Sequence, residues 1–395
     1  MSHRTLKVLA LAGAMSLGAG ALVVATPLAA LASSPVHQRL EVPTHPLTAG
    51  SEFSLGNAIS GSTVVLGAPG VASGAGAVYV YEKSGSKWSP LTTITASDAA
   101  AGANFGISVG ISGTTIIVGA QGANGARGSV YFFSLNVGKR KATQIAEYKS
   151  PGSPHYGQLG WSVAISGTTA VAGAPNVAGA VEWFTVSGGK WVAKGSFAAP
   201  DTAANDGFGV QVAMGSPTSI FVIAQGHNAS TGELYVFDRT GRGWVKTAEM
   251  KGADSVAGDL FGSGGVSVSG ANVLVGDPYF NAGAGASYVF TISKGKWKQT
   301  AELHASVRIT GDHFGFGAIS GSTIVIGADK HNALQGAAYL FTRSGTKWTQ
   351  KALFTGSHSV AGDVFGRTVS LSGTTAVVGS LLHASEAGEA YIFSV

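Results

Sequence analysis

Apolar and small or polar residues alternate from Phe105 to Ile111, where Phe105, Ile107, Val109 and Ile111 are separated by Gly106, Ser108 and Gly110. A period of two predicts a β-strand that shows one set of side chains to each face. Ser112-Gly113 follows, and then the continuous run Thr115-Ile116-Ile117-Val118, the pattern of a strand buried on both faces. The intervening pair predicts a tight hairpin, because glycine accepts the positive φ that such turns need. A third strand is read from runs such as Ala77-Val78-Tyr79-Val80-Tyr81. A fourth follows Ser84-Gly85-Ser86 and is headed by Trp88, with Trp191, Trp244, Trp297 and Trp348 at the same place in later copies.

The four-strand pattern recurs seven times. Gly61, Gly113, Gly167, Gly215, Gly270, Gly321 and Gly373 mark the turns, in steps of 52, 54, 48, 55, 51 and 52 residues. A second glycine opens each third strand, and five residues later stand Tyr81, Phe133, Phe184, Phe237, Phe290, Phe341 and Phe393. No sustained 3.6-residue period appears, which excludes a helical solenoid. Seven repeats of four short strands predict an all-β fold, a seven-bladed β-propeller of four-stranded antiparallel blades, since radial repetition leaves only short, protected edges. The last copy stops after its third strand, Glu389 to Phe393. Residues 38–53 align without gaps on 350–365, so Arg39 to Val42 are expected to supply the missing outer strand of the seventh blade.

Composition narrows the setting. His3, Arg4 and Lys7 precede an apolar stretch from Val8 and the small-residue site Ala30-Leu31-Ala32, a pattern read as a secretory signal over residues 1–32, with an uncleaved anchor as the alternative. Residues 33–395 then form a single propeller domain, expected to be monomeric and secreted, extracellular or loosely attached to a cell wall, with no membrane span after cleavage. There is no cysteine for a disulfide or thiolate chemistry, and 11% charged against 45% apolar residues, with 59 glycines, fit a buried sheet protein. A formal net charge of +5, part of it in the leader, is too weak and scattered to indicate nucleic acid.

Phe105-Gly106, Phe208-Gly209, Phe261-Gly262, Phe314-Gly315 and Phe365-Gly366, with triplets such as Gly119-Ala120-Gln121, Gly276-Asp277-Pro278 and Gly327-Ala328-Asp329 after the pairs at 105, 261 and 314, and Gly67-Ala68-Pro69 and Gly173-Ala174-Pro175 in the other copies, resemble the FG-GAP repeat of integrin α-subunit propellers and many bacterial secreted proteins. The resemblance covers the whole mature chain and implies a propeller, with functions ranging from adhesion to ligand binding. Many members carry an Asp-x-Asp-x-Asp-Gly calcium loop between the two motifs. Here that span is a short turn such as Ser112 to Thr115, so no hairpin calcium, no other metal and no cofactor are expected.

Candidate chemistry is sparse. Gly106-Ile107-Ser108-Val109-Gly110 matches a hydrolase elbow only in letters, since it lies within a strand. Ser84-Gly85-Ser86-Lys87 and Ser344-Gly345-Thr346-Lys347 recur at a hairpin, and Asn228-Ala229-Ser230 is a common glycosylation triplet. Asp206, Asp259, Asp312 and Asp363 each stand two residues before the phenylalanine of a copy and are read as Asx turns accepting backbone N–H groups. The loops between the second and third strands carry His227, Tyr279, Phe280, His331 and His383 in copies four to seven, where copies one to three offer mostly small residues. These five residues are the candidate ligand-binding set, and no catalytic residue is assigned. The expected function is a secreted, non-enzymatic binding or adhesion propeller that recognises a protein, glycan or cell-wall partner through its loop face. The alternative is a secreted carbohydrate-active or oxidative enzyme, for which two of the ring aspartates would have to pair across a site.

Overall fold

The computed structural model describes residues 37–40, 47–151 and 157–395. The signal-like segment, residues 1–32, lies outside that set. Among the described residues there are seven four-stranded antiparallel sheets. Blade one is built from Asn57–Ser60, Thr63–Ala68, Ala77–Ser84 and Lys87–Ile94 in that order from the inside out. The innermost strands touch in cyclic sequence, the seventh, Phe365–Ser372, lying against the first, Asn57–Ser60. The sheets therefore close into a ring.

Burial follows the hydropathy pattern. The second strand of blade one is buried at all six positions, as a strand sandwiched between neighbouring sheets must be. The phenylalanine that opens most blades, fully buried in every case, meets the tyrosine of the third strand of its own blade. Phe105 lies 5.3 Å from Tyr131 and Phe314 5.3 Å from Tyr339, both edge to face. Blade three has Leu159 and Glu182 at these two places. Tyr148 fills in there, packing edge-on against Phe184 with its hydroxyl 3.5 Å from the Glu182 carboxylate.

The glycines of the two motifs form a clasp between blades. A Cβ added to Gly67 would stand 1.8 Å from the carbonyl oxygen of Gly106 in the next blade, and Gly327 meets Gly366 in the same way. Two backbones approach too closely there for any side chain. The second-anchor glycine has the same cause: Gly76 bridges to Phe105, and a Cβ on it would lie 2.1 Å from the Phe105 carbonyl oxygen.

Three features depart from the sequence reading. Six of the expected turn glycines hold φ of +57° or +58°, but Gly215 does not; it sits inside the strand Gln211–Ser216, where the register slips, and Pro217-Thr218 makes the turn. The closing strand is present but earlier than expected. His37–Arg39 pairs antiparallel with the strand Glu389–Ser394, His37 opposite Phe393 and Arg39 opposite Tyr391, and the Leu40 N–H donates to Ala390. Leu40, 3% exposed, thus takes the place that Phe354 holds in blade six, so the gapless alignment is off by two residues. A shift of two keeps every side chain on its face. The connection from Leu40 to Phe53 absorbs the difference, and Val42 falls outside the described residues. Gln38 reinforces the closure, its amide donating to the Trp88 carbonyl (2.7 Å) and accepting from the Trp88 N–H (2.9 Å) in blade one.

The third departure is in the loops between second and third strands. Six of them contain a four-residue turn, such as His331–Leu334, whose inner residues are left-handed: Asn332 at φ 50°, ψ 67° and Ala333 at φ 57°, ψ 45°. Asparagine tolerates this region and fills the first left-handed place at Asn124, Asn228, Asn281 and Asn332. The bond from the Gly336 N–H to the His331 carbonyl (2.9 Å) closes the turn. Blade three has a loop three residues shorter and lacks it.

Candidate functional site

Each of these turns is tied to the blade-to-blade connections beside it. The Lys330 N–H donates to Asp312 in the connection entering blade six, and Gly362, in the connection leaving it, donates to Ala333. Loops and connections therefore form one continuous belt on one side of the ring, here termed the loop face.

The ring aspartates and the loop histidines, which look separate in sequence, meet on this belt. Nδ1 of His227 lies 2.8 Å from Asp206, that of His331 2.7 Å from Asp312, and that of His383 2.9 Å from Asp363. The aspartates also hold the connection turns: Asp206, Asp259 and Asp363 accept the backbone N–H groups of Ala203, Val256 and Val360 at 2.7 to 2.9 Å. Three of the four thus accept a nearby backbone N–H as expected, but from the residue three places earlier and not two places on, so the turns are not Asx turns; the Asp312 carboxylate lies against His331. Replacing Asp363 by alanine removes two bonds at once and is expected to cost about 1–3 kcal/mol in chemical denaturation, with asparagine costing less because it keeps the amide acceptor. Equal stability of all three proteins would show that the turn does not depend on the carboxylate.

The remaining candidate residues divide. Tyr279 is 39% exposed and packs edge-on against His313 at 4.9 Å. Phe280 turns inward, half-buried against the blade-five core and 6.3 Å from Tyr288. The three loop imidazoles lie against aspartates of their own blades rather than against one another, and no group of three metal-capable side chains occurs among the described residues. Every histidine whose side chain is described lies on this face within 3.7 Å of a carboxylate oxygen, including His304 beside Glu302 and His358 beside Glu389. His313 is pushed down to about 4 by burial and by Lys330 and Arg367, so it is neutral at physiological pH.

The exposed residues left out of the candidate set are aliphatic, and of them only Leu382, beside His383, stood out in the sequence. Val256, Val307, Ile309 and Val360 on the connections, and Leu334 and Leu382 on the turns, are all 40% exposed or more. With Tyr279 they make seven of the twelve large hydrophobics exposed among the described residues, gathered over blades five to seven. A signal for two of them was present: Ser-Val-Ala-Gly-Asp occurs at both 255–259 and 359–363. In each copy the aspartate accepts the valine N–H, a turn that leaves the valine side chain outermost, at 62% and 59% exposure.

Comparison with known proteins fits this geometry. The FG-GAP repeat model matches at residues 88–133, 297–341 and 348–393. The chain carries FG-GAP repeats at these three positions. Each match opens at the tryptophan of an outer strand and ends at the ring aromatic of the next blade's third strand, so an FG-GAP repeat straddles two blades and contains the connection that joins them. Among solved structures, a chain of the crystal structure of the mitotic checkpoint complex is similar with a TM-score of 0.57 at 11% identity, over 96% of this chain and 99% of that one. At that identity the likeness concerns the propeller fold alone. No curated protein matches the sequence.

Proposed function

We propose that this FG-GAP propeller is a non-enzymatic binding module whose loop face, over blades five to seven, receives a protein partner outside the cytosol. The observation that carries the reading is the concentration of exposed apolar side chains on that arc, since soluble surfaces rarely gather them without a partner. Exposed Arg308 and Lys330 flank the patch, which suits a partner segment combining apolar and acidic residues. The ring aspartates hold turns and imidazoles of their own blades, which supports a structural role for them over the paired role that the glycan-cleaving alternative needs. Placement outside the cytosol rests on the signal-like leader; no described helix is long and apolar enough to cross a membrane.

The test compares the mature protein with a Val256→Ser, Val360→Ser, Leu382→Ser variant and with an Ile145→Ser, Val245→Ser variant altered on outer strands. Extracellular proteins captured by cross-linking and identified by mass spectrometry should be retained by the wild type and the outer-strand variant and lost by the loop-face variant. Identical capture by all three would end this reading.

A further inference from the structure

The ring encloses a central channel of about 690 Å³, within the size range of small-molecule sites, lined by the innermost strands of all seven blades. Its walls alternate aliphatic side chains with Asn57, Gln211, Thr368, five serines and exposed glycine backbone, so that polar and apolar surface are about equal, and Arg367 is the sole charged residue on them among the described residues. Arg367 follows the FG glycine of blade seven. The same place in blade three holds Trp161 and in blade six Phe316, so one rim position of the repeat supplies a cation and two aromatic rings to the channel.

The guanidinium is held in place from two sides. It lies 4.4 Å from the centre of the Phe316 ring, and one Nη1–H donates to Asp329 at 3.3 Å. Asp329 is buried behind the wall, 4% exposed, and its other oxygen lies 3.6 Å from Nδ1 of neutral His313. Burial raises the Asp329 carboxyl toward its neutral form, while Arg367 and Lys330 oppose that shift. The Arg367 side chain remains 40% exposed, with its other N–H donors directed to no partner among the described residues. Trp161 is 36% exposed on the same cavity.

We propose that the channel is a binding site for a small organic carboxylate with a ring or extended apolar body, the carboxylate accepting from the Arg367 guanidinium and the body lying against Trp161 and the aliphatic wall. A planar guanidinium fixed on an aromatic ring is pre-organised for two parallel hydrogen bonds to a carboxylate. A single cation suits a singly charged group, and the valine, isoleucine and alanine side chains between the polar positions suit an uncharged remainder. The site does not depend on the loop-face reading, because the two side chains proposed to touch the ligand, Arg367 and Trp161, are not among those of the patch; His313 and Lys330 lie between the two, behind the wall.

The probe is 2-naphthoate, with isosteric 2-naphthamide as the uncharged control, titrated into the mature protein by calorimetry. Saturable naphthoate binding is expected, with naphthamide about tenfold or more weaker. Arg367→Gln should bring naphthoate down to the level of the amide, Arg367→Lys should fall between, and Trp161→Ala should weaken both ligands alike. High salt should weaken naphthoate alone. The loop-face triple variant should bind naphthoate as the wild type does, so that failure here and failure of the partner surface are separate results. Melting curves confirm that each variant is folded. No saturable binding of naphthoate to the wild type at millimolar concentration, or equal binding by folded Arg367→Gln, overturns the proposal.

Discussion

Deletion of residues 33–40 is expected to lower the melting temperature by on the order of 10 °C and to make the protein self-associate. The deletion takes away the outer strand of blade seven, with three opposed residue pairs, the buried Leu40 side chain and the paired amide of Gln38 on blade one. It also removes Arg39, which forms an ion pair with Glu389, a carboxylate only 3% exposed. A buried carboxylate that loses its cation is strongly destabilising, and with the loss of Leu40 the sum is on the order of 5 kcal/mol. The strand Glu389–Ser394 would then offer unpaired backbone groups to a second copy. Calorimetry and light scattering read both effects, and Leu40→Asp should give a smaller drop of the same sign. An unchanged melting curve would mean that the ring does not rely on this strand.

Replacing Asp277 by alanine is expected to stabilise the protein at pH 8 by a few kcal/mol and to flatten its dependence on pH. The corresponding residue in five other blades is Ala68, Ala120, Ala174, Ala224 or Ala328. Asp277 has no exposed surface, and its carboxyl oxygens face only the backbone N–H groups of Phe280 and Tyr279, neither placed for a full hydrogen bond. Burial first, and then the charge of Asp259, push it up to about 8; the backbone N–H groups of Phe280 and Tyr279 favour the charged form without prevailing. The folded protein thus keeps a proton that the unfolded chain gives up near pH 4. Between roughly pH 4 and 8 the native state binds more protons, so stability falls as pH rises, by about 1.4 kcal/mol per unit, and levels off above the folded value. Below pH 4 both states are protonated and the contribution is fully present. Urea denaturation of both proteins at pH 5, 6.5 and 8 isolates this group, since all others are shared. Parallel curves would show that Asp277 is not the source.

The ring was legible because its strands are written twice, in alternation such as Phe105 to Ile111 and in glycines that leave no room for a side chain. Where one residue type serves two geometries, sequence alone misled. Gly215 occupies a strand irregularity instead of a turn, and the matching glutamines Gln38 and Gln350 suggested a register two residues from the true one. The left-handed turns were signalled by pairs such as Asn228-Ala229 and Asn332-Ala333, a pattern that reads equally well as a loose loop. The site was half legible. His383 and Asp363 stood out separately, but they are 20 residues apart and only the fold makes them a pair. Val256 and Val360 look like core residues until a turn faces them outward, and Trp161 and Arg367 come from blades three and seven, joined by nothing except the channel.

Pairing His37–Arg39 with Tyr391–Phe393 joins segments separated by more than 350 positions. A chain made from its amino end must hold the first of these segments in waiting until nearly everything else has been produced, and bringing such remote pieces together carries a large loop-closure entropy. Until then the partly assembled ring has two raw sides, each able to recruit a stranger. The seam should thus be the last place to form, and under mechanical pull the first to part.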